Sequence, residues 1–121
     1  MNNEFHRSDR IAERVRAEIS DLLLKKIHDP RIGFVSITRV NCSHDLRNMT
    51  VFVSAYGASE AKQANTLEGL RSATPFITRE VFRRLEIKVA PEIYFKMDDS
   101  LAKGQEVLQK IKEAIAEDTE K

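Results

Sequence analysis

Cysteine is almost missing from these 121 residues. Cys42 stands alone, which excludes an intramolecular disulfide framework and fits a reducing compartment. Long apolar runs are missing as well: none approaches the roughly 20 residues needed to span a bilayer. The polar start, Met-Asn-Asn-Glu, has no apolar segment of the signal-peptide kind, so a soluble, cytoplasmic protein is expected. The glycines at 33, 57, 69 and 104 lie too far apart for a GxGxxG turn or a phosphate-cradling loop, and no GxSxG elbow is present. Cys42 and His44 are close neighbours, but no second pair completes a metal site. His6, His28 and His44 fall in the terminus and in turns, where solvated imidazole is expected. The neighbouring carboxylates of Asp98-Asp99-Ser100 are accounted for by helix capping. No catalytic constellation remains, so neither an enzyme nor a cofactor is expected.

What is present suffices for one domain over residues 1–121, with 41% apolar residues to build its core. The formal net charge of +1 conceals a division. Residues 62–88 carry six basic and three acidic side chains, a local +3, whereas residues 113–121 carry four acids against one lysine, a local −3. A near-neutral total can therefore hide a basic surface offset by an acidic tail. A core over residues 7–112 and a tail that frays at residues 113–121 are expected.

The chain opens with a helix. Ser8 is placed to cap it, and Ile11, Val15, Ile19, Leu22, Leu23 and Ile27 mark one apolar face. Arg14–Glu18 and Asp21–Lys25 are spaced as i,i+4 pairs on the wet side. His28-Asp29-Pro30 ends the helix, because a residue before proline avoids the helical region. Residues 34–42 read as a strand whose alternation slips, since Val35 and Ile37 fall on one phase and Val40 and Cys42 on the other. A bulge near Thr38-Arg39 reconciles them. Residues 48–56 alternate cleanly, and the turn residues 43–47 join the two strands as an antiparallel hairpin. Ser59 or Ala58 opens a second helix, which Ser72-Ala73-Thr74-Pro75 interrupts. Proline inside a helix costs about 3 kcal/mol or more, so a separate third helix is expected to start at or beside Pro75. Residues 92–97 form a third strand, and Ser100 caps a last helix carrying Leu101, Leu108, Ile111 and Ile115. The order α-β-β-α-α-β-α gives an α+β sandwich with helices on one face of a three-stranded sheet. The far face collects Phe52, Tyr56 and Tyr94 beside Thr50, Ser54 and Lys96, an arrangement akin to a base-stacking platform.

Three stretches carry a resemblance. Asp29-Pro30-Arg31-Ile32-Gly33-Phe34-Val35 runs into a Thr-containing strand, Ser43-His44-Asp45-Leu46 precedes Val51-Phe52-Val53-Ser54, and Pro91-Glu92-Ile93-Tyr94-Phe95-Lys96-Met97-Asp98-Asp99-Ser100 closes the set. In this order they resemble the bacterial ribosome-binding factor A family over roughly residues 7–108. The resemblance implies a type II KH-like domain of order α-β-β-α-kink-α-β plus a C-terminal helix. It further implies a monomer that binds the free 30S ribosomal subunit and its 16S rRNA and supports late maturation and 5′-end processing, alongside other assembly factors and with no membrane role. KH domains clamp RNA with a GxxG loop. This sequence has none, and the Ser72-Ala73-Thr74 junction, with Pro75 added, stands in its place.

The candidate RNA contacts are accordingly Arg71, Ser72, Ala73, Thr74, Arg79, Arg83 and Arg84, with Arg7, Arg10 and Arg31. A helix N-terminus at the junction would offer unpaired N–H groups to a phosphate. From the sequence alone, Arg7 and Arg10 are solvated charges, Glu80 pairs with Arg84, and the junction is a plain turn. The alternative function is a KH-like protein–protein module that binds through its sheet face or last helix.

Overall fold

The structure is a computed structural model that describes residues 7–55, 57–98, 108 and 110–115. Its elements follow the order α1 (Arg7–Lys25), β1 (Ser36–Cys42), β2 (Asn48–Ser54), α2 (Glu60–Leu85) and β3 (Glu92–Met97). In α1, Ala12, Val15, Ile19 and Leu22 are buried, as their spacing requires. Ser8 lies inside the first turn of this helix rather than before it. Residues 110–115 are helical, whereas Ser100, Leu101 and the end of the acidic tail lie outside the described residues, as does Tyr56.

The sheet has the order β1-β2-β3. β1 and β2 pair as an antiparallel hairpin whose register shifts between Ile37 and Arg39. Thr38 is thus the extra residue, the bulge that the broken alternation demands. It lets Ile37 and Val40 point into the same core. The bulged side chain also has a partner: Thr38 Oγ1 donates to Asp98 Oδ2 at 2.6 Å. β3 pairs with β2 in parallel, which requires a long crossover, and α2 is that crossover. Met49, Val51, Val53, Ile93 and Phe95 line the covered sheet face against Val15, Ile19, Leu70, Ile77 and Val81.

The expected split of α2 is corrected by the structure. The helix runs unbroken from Glu60 to Leu85 with Pro75 inside it, capped at its start by Ser59, whose hydroxyl accepts from the Lys62 N–H. Magnitudes explain why. Leu70 and Ile77, on either side of the proline, are both fully buried, and Val81 and Leu85 continue the same stripe. Each such side chain gains about 1.5–3 kcal/mol by burial, which together outweighs one internal proline. Thr74 does not cap a new helix: its Oγ1 donates to the Leu70 carbonyl 2.8 Å away, one turn back.

The loop after α1 is held against α2 by two residues. Thr66 Oγ1 lies 3.3 Å from the Ile32 carbonyl and 3.0 Å from that of Lys62. One turn on, Gly69 lets the loop come so close that a Cβ there would meet Ile32 Cγ1 at 2.8 Å.

Candidate nucleic-acid interface

With α2 continuous, no helix N-terminus opens at residue 74, and any phosphate contact there falls to side chains. The helix supplies them in a row. Arg71, Pro75, Arg79 and Arg83 are one turn apart on its exposed side. Arg71 and Thr74 form one wall of a groove of about 570 Å³, and Tyr94, Lys96 and their strand neighbours Ile93 and Phe95 form the other. β3 is an edge strand, and α2 packs beside it.

The ten candidate residues do not converge. Arg71 lines the groove, and Ser72 is exposed next to it. Ala73 is partly buried, with one side packed against the core. Arg79 is exposed and makes no ion pair among the described residues. Arg83 reaches Glu80 at 2.8 Å but stays largely open to solvent. Arg84 has another role. Its Nη1 lies 3.0 Å from Glu18 and 3.2 Å from Asp21, both on α1, and its Nε lies 3.5 Å from Glu80. With a side chain only 20% exposed, it fastens α2 to α1 and is less open to a ligand than Arg79 or Arg83. Glu18 is thereby drawn to Arg84 rather than to Arg14, whereas Asp21 also makes the expected pair with Lys25 at 3.0 Å.

Position separates the rest. Gly69 sits beside the loop that follows α1, and Arg84 beside Glu18 and Asp21, so the two helices run in opposite senses. Arg84 is 13 residues beyond Arg71, about 20 Å along the helix. Arg7 and Arg10 are exposed at the start of α1 and are not among the residues that line the groove. Arg31 is held in its loop by Asp29, at 2.6 Å, with Glu68 at 3.9 Å. Tyr94 and Lys96 were legible only as sheet-face residues. Their second role, walling the groove with Arg71 and Thr74, follows from the parallel pairing that puts β3 beside α2.

Electrostatics around Arg84 yield a first prediction. Lys25 and then Arg84 hold the Asp21 carboxyl below the usual carboxylate range, and Arg83 followed by Arg84 does the same for Glu80. Groups depressed on folding add stability at neutral pH and lose it as pH falls through their folded pKa values, below the ordinary value near 4. The melting temperature should therefore fall between about pH 5 and pH 3. Arg84→Gln should lower it at pH 7 and make that fall shallower. A variant that melts like the parent at every pH would remove the tie.

Burial, aided by the charge of Asp9, pushes the Cys42 thiol up to about 11, so it stays protonated through the physiological range. Among the described residues, no group of three or more His, Cys, Asp and Glu side chains could hold a metal ion. Nor is any described helix long and apolar enough to cross a membrane.

Comparison with known proteins agrees with the three-stretch resemblance. The profile of a family described as ribosome-binding factor A matches residues 7–111. The ribosome-binding factor A of Dictyoglomus thermophilum is 46% identical over 113 residues, spanning 93% of each chain. Among solved structures, the solution structure of a Thermotoga maritima protein described as a candidate ribosome binding factor A is 29% identical, with a TM-score of 0.71 over 83% of this chain and 93% of that one. A homology model of the Thermus thermophilus ribosome binding factor A, fitted into a cryo-EM map of its 30S complex, shares the fold at 22% identity. Its TM-score is 0.56 over 78% of this chain and 94% of that one.

Proposed function

The chain belongs to the ribosome-binding factor A family, and on that premise we propose that it binds the free 30S ribosomal subunit through 16S rRNA. It assists late maturation of that subunit, including processing of the 16S 5′ end, as a non-catalytic cytoplasmic monomer working with other assembly factors. The observation that carries this reading is the groove between α2 and β3, with Arg71 and Lys96 on opposite walls and Arg79 two turns farther along the helix. Cations so placed contact phosphates, which gives affinity without reading sequence. Specificity then comes from the shape of the assembled subunit. The relative fitted into a 30S map supports the choice of partner.

Co-sedimentation with 30S subunits across a salt series tests this. The parent should bind at low salt and weaken steadily as salt rises. Arg71→Glu combined with Arg79→Glu should weaken binding about tenfold and reduce the salt slope by about two. Unchanged affinity and slope would take both arginines out of the interface.

One observation favours the alternative, a protein-binding module. Phe34 is 98% and Leu24 78% exposed, and they border an apolar hollow of about 770 Å³ between the end of α1 and the start of β1. Binding there would be insensitive to salt, and the same series separates the two.

A further inference from the structure

The groove has a neighbour. The sheet face turned away from the helices carries two registered rows: Arg39 beside Phe52 beside Lys96, and Asn41 beside Thr50 beside Tyr94. Two positions on it are flat and preset. The Arg39 guanidinium lies over the Phe52 ring, 4.1 Å from its centroid. That contact covers the ring and orders the guanidinium above it, itself a planar surface on which a base stacks. The Tyr94 ring is 50% exposed, and its hydroxyl donates to the Glu92 carboxylate two residues back on the same face, fixing the ring along its strand. Prior ordering reduces the entropy lost on binding.

Two features identify the occupant. Tyr94 and Lys96 also wall the α2–β3 groove, so groove and face are one continuous surface around the edge of β3 that pairs with no other strand among the described residues. The face is also polar and cationic: Arg39 and Lys96 lie among Asn41, Thr50 and Ser54, with Glu92 engaged by Tyr94. The centre of a protein-binding patch is poor in charge, whereas a strand of unpaired nucleotides needs flat surfaces, hydrogen-bonding groups and cations together. We propose that the open sheet face binds unpaired RNA bases, with Tyr94 and the Arg39–Phe52 pair as two stacking positions for a strand whose backbone runs through the groove. The proposal rests on the RNA-binding reading of that groove. It adds a preference for single strands, which phosphate contacts alone do not create.

The test measures binding of a short single-stranded RNA, and of the same sequence as a duplex, by fluorescence anisotropy at several salt concentrations. Tyr94→Ala removes a stacking ring from an exposed position, and Tyr94→Phe keeps it. Arg39→Lys keeps the charge but loses the plane, and it sits two strands away from the groove. Tyr94→Ala and Arg39→Lys should each weaken single-strand binding about fivefold or more and leave the salt slope unchanged, and Arg39→Lys, which lies off the groove, should leave duplex binding unaffected. Tyr94→Phe should bind like the parent. Thermal melting establishes that each variant is folded. If Arg39→Lys binds single strands as tightly as the parent while Arg71→Glu with Arg79→Glu binds weakly, the stacking face is wrong and the groove stands. If the parent binds no RNA at any salt concentration, the groove reading fails and the stacking face fails with it.

Discussion

Gly69→Val is expected to lower the stability of the folded chain by about 3 kcal/mol, or roughly 10 °C in melting temperature. Helix propensity argues the other way, since glycine in a helix interior is worse than alanine by about 1 kcal/mol. Packing decides the sign. A Cβ at residue 69 would lie 2.8 Å from Ile32 Cγ1 and 3.2 Å from Arg31 Cβ, and Ile32 is buried. The loop cannot simply retreat, because Thr66 holds it by its Ile32 carbonyl one turn earlier. Gly69→Ala should therefore destabilise by about 1–2 kcal/mol despite its better propensity, with valine worse again. Ile32→Ala removes the atom that clashes, so the Gly69→Ala penalty should shrink in that background, a coupling that a double-mutant cycle measures. A melting temperature that rises in Gly69→Ala would show that the close approach carries no weight.

Pro75→Ala should act in the opposite direction, raising stability by about 1–2 kcal/mol. Alanine supplies the N–H that proline cannot give to the Arg71 carbonyl and removes the ring that crowds the same oxygen. Proline restricts the unfolded chain, and losing that restriction returns about 0.4–1 kcal/mol. Leu70 and Ile77 stay where they are, since both are already seated in the core. A thermal melt reads the outcome. If Pro75→Ala melts below the parent, the helix depends on the fixed backbone angle of proline at this turn, and the helical course through residue 75 has another cause.

These two positions also show where the fold was legible. The hairpin could be read because its information is local: four side chains on two phases leave room for one extra residue, and Thr38 is that residue. The apolar face of α1 was legible for the same reason. Pro75 misled because a single residue's penalty is visible in sequence, whereas the burial that overrides it depends on strands far away in the chain. The Glu18–Arg84 contact spans 66 residues, so spacing along one helix pointed to Arg14 instead. Arg71 and Thr74, named through the resemblance, line the candidate groove. The tie from Arg84 to α1 was hidden because a cation that joins two helices and one that waits for a phosphate look alike in sequence. The second role of Tyr94 and Lys96 was hidden, because alternation tells which face a strand residue takes but not which helix lies along its edge.

The parallel pairing of β2 with β3 fixes the order in which a growing chain can close. As synthesis proceeds from the N-terminus, α1, β1 and β2 emerge first, and all 26 residues of α2 must follow before β3 exists. Throughout that interval β2 offers an unpaired edge bearing Met49, Val51 and Val53, the kind of edge that pairs with a neighbouring chain. The final strand thus closes a template for aggregation, and the Thr38–Asp98 hydrogen bond, joining residues 60 apart, can form only after that closure.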